Sequence, residues 1–346
     1  MIWTPTCWWC ADYKVREEGG PGHELKKGKI MQYLAPTLLR NGHLLSIYPS
    51  LWRKVTTDHF VRERITTEDG DFLDLDWSRV GARRLVVISH GLEGNSRRPY
   101  VAGMARAVNA GGWDALAWNF RSCGGEMNRC LRFYHSGATE DLDAVVSHAL
   151  ASGAYDEVAL VGFSLGGNLT LVYLGERGSA LPAQVSRAVV FSVPCDLAAG
   201  ARQLARPSNY IYMRRFIRSL RQKMELKQQS FPGQIDLTGI ERLRTFQEFD
   251  DRFTAPMHGF RDAEDYWARC SSRGFIGDIR VPTLIVNAAN DPFLAPECFP
   301  TKEVQGHAQV RLEVPSSGGH VGFVRFNEQD LYWSEERALR FLKEGR

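Results

Sequence analysis

The sequence predicts an α/β fold class: a mostly parallel twisted sheet flanked by helices, with a helical cap insertion late in the chain. Three observations lead there. From Val61 onward, short apolar runs alternate with stretches of helical character. Most of those runs are continuous rather than alternating in polarity, as in strands covered on both faces. The alternation then stops over 196–280, where the chain turns helical and charged, and resumes afterwards.

The elements follow in order. Arg62 to Thr67 and Phe72 to Trp77 flank the turn residues Asp69-Gly70 and read as a hairpin at an antiparallel edge. Leu85 to Ile88, Ala115 to Trp118, Val158 to Val161 and Ala188 to Phe191 are four strand-length runs. Helices are expected at about 98–110, 139–151 and 165–177, the second with Thr139 as N-cap and with Glu140 and Asp141 opposing its dipole. Such repetition implies right-handed crossovers in one sheet. Thr283 to Val286 and Val310 to Val314 supply two later strands. Within the insertion, Met213, Phe216, Ile217, Leu220 and Met224 recur at helical spacing, and Arg214, Arg215, Arg218, Arg221 and Lys223 fill the other positions. An apolar stripe packed beneath a solvated basic face is the plain reading. A face that touches anionic lipid headgroups beside the substrate entrance is the sharper one. The expected layout is a loose N-terminal extension over 1–30, a first part of the core over 31–195, the cap over 196–280 and a second part of the core over 281–346.

Composition narrows the classes. With 346 residues, 44% hydrophobic and 24% charged, the chain is an ordinary globular one with ample core material. A net charge of +3 is far from the clustered basic excess of nucleic-acid binders, so no nucleic-acid partner is expected. Seven scattered cysteines, odd in number, favour free thiols and a cytoplasmic location. Neither a secretion signal nor a transmembrane segment is read in the sequence. Cys7-Trp8-Trp9-Cys10 has redox-like or metal-like spacing, but without a surrounding βαβ pattern or a second Cys/His pair it reads as accidental.

The chemistry centres on Gly162-Phe163-Ser164-Leu165-Gly166, which follows a strand and opens a helix. A sharp strand-to-helix turn lifts the serine hydroxyl above the sheet and leaves no room for side chains two positions to either side. A serine hydroxyl needs an adjacent imidazole to take its proton. Asp291, after the strand Thr283 to Val286, and His320, in Gly318-Gly319-His320 past the last strand, complete the order serine, acid, histidine used by the α/β-hydrolase fold. His258, His307, His135 and His148 occupy other positions, and Asp278 precedes its strand rather than following it. His90-Gly91-Leu92-Glu93-Gly94 closes the strand Leu85 to Ile88, where that fold builds half of its oxyanion hole. The backbone N–H groups of Leu92 and Leu165 are the expected donors, and His90 is expected to brace the loop.

These residues carry a closer resemblance. His90 to Asn95, Asn119 to Arg129, Tyr134 to Gly137, Gly162 to Asn168, Asp291-Pro292-Phe293, Gly318 to Phe323 and the early Leu38 to Leu44 are similar to the YheT-like family of α/β-hydrolases, related to the abhydrolase-domain lipid hydrolases. The resemblance spans roughly 33–343. It implies esterase-like activity. The leading reading of the residues is hydrolysis of a small-molecule acyl ester through an acyl-enzyme on Ser164, with neither a metal nor an organic cofactor. Two departures stand out. Asn290 replaces the first of a usual aspartate pair, leaving Asp291 as the acid, and Arg121-Ser122-Cys123-Gly124-Gly125 departs from the usual Arg-Gly-Cys-Ser-Gly. An acyltransferase working through the same acyl-enzyme, and a catalytically silent binding protein on the same frame, are the alternatives. Oligomeric state is not legible.

Overall fold

In the computed structural model, which describes residues 31–344, eight strands pair into one sheet. They are β1 (Val61–Thr66), β2 (Phe72–Ser78), β3 (Arg84–Ser89), β4 (Asp114–Asn119), β5 (Glu157–Phe163), β6 (Val185–Phe191), β7 (Thr283–Val286) and β8 (Val310–Glu313). Their order across the sheet is β1-β2-β4-β3-β5-β6-β7-β8. The hairpin pairs Ile65 with Leu73 and Thr66 with Phe72, β2 runs antiparallel to β4, and every pairing beyond is parallel. Every residue of β4 and β7 is buried, and every residue but the first of β3 and β5, which is why these strands read as unbroken apolar runs. The expected extension over 1–30, with Cys7 and Cys10, lies outside the described residues. The five cysteines among the described residues are unpaired.

Helices α1 (Gly42–Trp52), α2 (Pro99–Ala110), α3 (Thr139–Ala151) and α4 (Leu165–Arg177) belong to the first part of the chain. Between β6 and β7 come α5 (Leu197–Leu204), α6 (Tyr210–Ser230), α7 (Phe246–Phe249), α8 (Ala255–Met257) and α9 (Ala263–Cys270), and α10 (Trp333–Lys343) closes the chain. Helix α2 packs with α1 and α10, and α3 packs with α4. No helix among the described residues is long and apolar enough to cross a membrane.

Three features depart from the sequence reading. Thr139 is the first residue of α3 rather than its N-cap: Ala138 holds that position, no side chain accepts from the first amides of the helix, and the Thr139 hydroxyl donates to Glu176. Helix α1 has no counterpart in the sequence reading, although Asn41 caps it by accepting from the amides of His43 and Leu44. The basic positions of α6 are not one solvated face. Arg214, Arg215 and Arg218 are exposed, whereas Lys223 points inward and pairs with Glu93 at 2.7 Å. The apolar stripe does pack: Met213, Ile217 and Met224 are buried with Phe249, Phe253 and Phe293.

Candidate active site

Ser164 sits between β5 and α4 with φ 54° and ψ −120°, a conformation that ordinary side chains avoid and that persists only where its surroundings enforce it. The enforcement is visible at the flanking glycines. A Cβ on Gly162 would lie 2.5 Å from the Gly166 carbonyl oxygen, and one on Gly166 would run into the His90 carbonyl oxygen. The turn is therefore pressed against both the next helix and the loop after β3.

His320 arrives on the loop after β8, where Gly319 takes φ 62°. Its Nε2 lies 3.0 Å from Ser164 Oγ, and its Nδ1 lies 2.9 and 3.1 Å from the two carboxylate oxygens of Asp291. With Nδ1–H donating to the carboxylate, Nε2 is left to accept the serine proton. Asp291 is buried and also accepts from the Phe293 amide at 2.9 Å, and the Phe293 ring stacks on His320 at 4.0 Å. The structure thus brings Ser164, Asp291 and His320 together.

Leu92 and Leu165 line the same cavity as Ser164 and His320. The amides on either side of Leu92 are occupied: Gly91 N–H donates to Tyr100 and Glu93 N–H to Tyr134. The N–H groups of Leu92 and Leu165 donate to no group among the described residues. Gly91 permits the approach, since a Cβ there would stand 3.2 Å from the Ser164 Cβ. His90 braces the loop from within. It is wholly buried, donates from Nδ1 to the Gly91 carbonyl at 2.8 Å and accepts at Nε2 from the Phe120 amide at 3.1 Å. Burial pushes its pKa down to about 3, which keeps the ring neutral and suited to one donor and one acceptor role.

The other histidines are engaged elsewhere. His148 pairs with Glu63, His307 accepts from the amides of Gln309 and Val310, and His258 lies between the carbonyls of Thr254 and Phe133. His135 packs against His258 at 4.7 Å, and both line the cavity without contacting Ser164.

Several contributors escape sequence reasoning. Asn290 is a clamp: Oδ1 accepts from the Gly319 amide at 3.0 Å and Nδ2 donates to the Arg40 carbonyl at 3.0 Å. Ser46 on α1 accepts from the His320 amide at 2.7 Å, and Ser192 accepts from the Val321 amide at 2.9 Å. The only advance signal for this cradle is the unusual Asn290 itself. Asp250 is another. It lines the cavity from a π-helical turn, Asp250–Thr254, and accepts from Thr254 Oγ1 at 2.6 Å and Trp267 Nε1 at 2.9 Å. Burial pushes its pKa up to about 7.

The Asn119 to Arg129 loop gains a structural explanation. Arg121 is buried and bridges Asp69 at 2.7 Å, Asp71 at 2.8 Å and Asp141 at 2.7 Å, tying the β1–β2 hairpin to α3. Asn128 adds a bond to Asp71, and buried Lys227 on α6 donates to Asn128. These carboxylates are spent on holding the loop.

The cavity itself, about 140 Å³, is walled largely by apolar side chains, among them Leu204, Phe216, Leu220, Phe249, Phe253 and Phe293. A group of ionisable residues converging on an apolar pocket is the usual form of a small-molecule site.

Known proteins share this arrangement of chain. The sequence matches the α/β hydrolase fold family over residues 84–325. The Escherichia coli (strain K12) protein YheT, which carries an esterase name, is 37% identical over 291 residues, covering 82% of this chain and 84% of that one. Phospholipase ABHD3 of Mus musculus is 30% identical over 272 residues, covering 76% of this chain and 66% of the relative. Among solved structures, the Pyrococcus furiosus esterase Pf2001 has a TM-score of 0.55 at 18% identity, covering 82% of this chain and 90% of that chain, which is a likeness of fold.

Proposed function

The chain belongs to the YheT-like branch of the α/β-hydrolase family and is an esterase- or lipase-type hydrolase, and from that premise we propose that it cleaves carboxylic esters through an acyl-enzyme formed on Ser164. The observation that carries this reading is the His320 Nε2 to Ser164 Oγ separation of 3.0 Å, with Asp291 on the opposite nitrogen at 2.9 Å. In this mechanism His320 takes the Ser164 proton as Oγ attacks the ester carbonyl. The N–H groups of Leu92 and Leu165 receive the developing oxyanion, and the imidazolium gives its proton to the departing alcohol. Water activated by the same histidine then releases the acid. Asp291 fixes the tautomer and stabilises the imidazolium. The 196–280 segment acts as a cap whose apolar walls, Phe216, Leu220, Phe249 and Phe253 among them, take the acyl chain.

Labelling with a fluorophosphonate probe tests the nucleophile. The wild-type protein is expected to label and Ser164→Ala is not, with p-nitrophenyl ester hydrolysis lost in parallel. Folded wild-type protein that neither labels nor hydrolyses a series of such esters would overturn the reading.

A further inference from the structure

Helix α1 leaves much of its apolar surface uncovered. Its buried residues are Leu45 and Pro49 alone, while Leu44, Ile47, Tyr48, Leu51 and Trp52 recur at i, i+3, i+4, i+7 and i+8 on the adjoining face, where Tyr48 packs against the Leu45 cluster at the edge of the stripe. Leu44 is 49% exposed, Leu51 64% and Trp52 62%. Tyr48 stacks on Trp52 at 5.3 Å and meets the edge of exposed Phe326 at 5.7 Å, so the stripe continues into the loop before α10. Exposed Arg40 and Lys54 stand at the two ends of this helix, and the chain carries no acidic residue between them.

The neighbouring surface is cationic. On α6, exposed Ile211, Arg215 and Arg218 recur at i, i+4 and i+7, and the two arginines pair with no carboxylate among the described residues. The two helices meet where His43 stacks on Tyr212 at 5.7 Å. Tyr212 in turn lies edge-on to Phe293 at 4.7 Å, and Phe293 is the ring that stacks on His320.

We propose that the outer faces of α1 and α6 together dock the protein on a lipid bilayer whose surface is anionic. Aliphatic side chains with Trp and Tyr beside them, bordered by cations, match the layering of a bilayer interface, where the apolar face enters the acyl boundary and the arginines stay among headgroups. A second copy of the chain fits less well, because α1 would offer the cations bordering this face no carboxylate in return. From the point where the two helices meet, His43, Tyr212 and Phe293 lead ring by ring to His320. Binding itself is independent of the esterase reading; only delivery of a bilayer ester to Ser164 rests on it.

Co-sedimentation of the full chain with phosphatidylcholine vesicles, with and without phosphatidylglycerol, tests the face. The protein is expected to pellet with phosphatidylglycerol-containing vesicles and to be released by salt. Leu51→Ser with Trp52→Ser is expected to lower partitioning roughly tenfold per anchor. Arg215→Gln with Arg218→Gln is expected to lower it about fivefold per charge, on phosphatidylglycerol vesicles only. Both double variants should hydrolyse a soluble short-chain ester in vesicle-free buffer at the wild-type rate, which shows that they fold. Wild-type protein that stays in the supernatant with both vesicle types, or a Leu51/Trp52 variant that binds as well as wild type, overturns the proposal. So does a dimer that Trp52→Ser disperses in the absence of vesicle binding. Vesicle binding by a protein that fails fluorophosphonate labelling would sink the esterase reading and leave the docking face standing.

Discussion

Lys223, reaching inward from α6, donates to the Glu93 carboxylate at 2.7 Å, one residue beyond the Leu92 amide. Burial alone would push the Glu93 carboxyl up, yet Lys223, Ser219 and Tyr134 together hold it below the usual carboxylate range. Glu93 itself takes φ 55°, so the backbone that presents Leu92 depends on this anchor. The helical insertion is thereby coupled to the loop that would supply an oxyanion donor.

Lys223→Met should therefore act on turnover. Removing the ammonium leaves a buried carboxylate without its cation and frees the loop. The expected result is a fall in kcat of about tenfold to 100-fold, less than the full loss of an oxyanion donor, with a smaller change in KM for a short soluble ester. Lys223→Arg should recover part of it. Steady-state kinetics on both variants check this, and an unchanged kcat in Lys223→Met would remove the coupling.

Asp291→Asn should separate chemistry from folding. The carboxylate accepts from His320 Nδ1 and from the Phe293 amide. An amide can keep the second bond through its oxygen but turns the imidazole toward the wrong tautomer. A drop in kcat on the order of 10⁴-fold is expected, with Tm near that of wild type. Retention of full activity would remove Asp291 from the mechanism.

Much of this was legible because strand, turn and helix leave local signatures. The runs of β3 to β7 are continuous since the sheet is covered on both sides, and Ser164 announces itself by glycines that the His90 carbonyl and the next helix demand. What was not legible is long-range. Ser46 reaches His320 across 274 positions and Asn290 reaches Arg40 across 250, and no periodicity encodes such partners. In the sequence Asn290 marks only the absence of a second acid, whereas in the fold its amide both donates and accepts. Lys223 shows the same limit. Helical spacing placed it among basic residues, but only the fold brings Glu93 opposite it.

Arg121→Met tests whether the Asn119 to Arg129 loop is held structurally. Arg121 is the shared cation of Asp69, Asp71 and Asp141, two of which are buried. Its loss leaves two buried carboxylates short of their counter-ion, at a cost of about 3–5 kcal/mol. Denaturant unfolding should show that decrease, while residual folded protein keeps its fluorophosphonate labelling. Unchanged stability would mean that the aspartates are satisfied without it.

Asp250 gives the cavity a pH dependence whose sign can be worked out. Burial raises its pKa from 3.8 to about 7, so between those values the folded state holds a proton that the unfolded chain has released. Stability therefore falls as pH rises through that window and levels off above it. Asp250→Asn removes the titration, and its amide can still accept from Trp267 and donate to Thr254, whose hydroxyl serves either role. The Tm of the variant relative to wild type is expected to climb between pH 5 and pH 8 and then stay level. The same charge faces the apolar walls, so wild-type KM for a long-chain ester should rise over that interval while the variant's stays flat. A Tm difference independent of pH would show that Asp250 keeps one protonation state throughout.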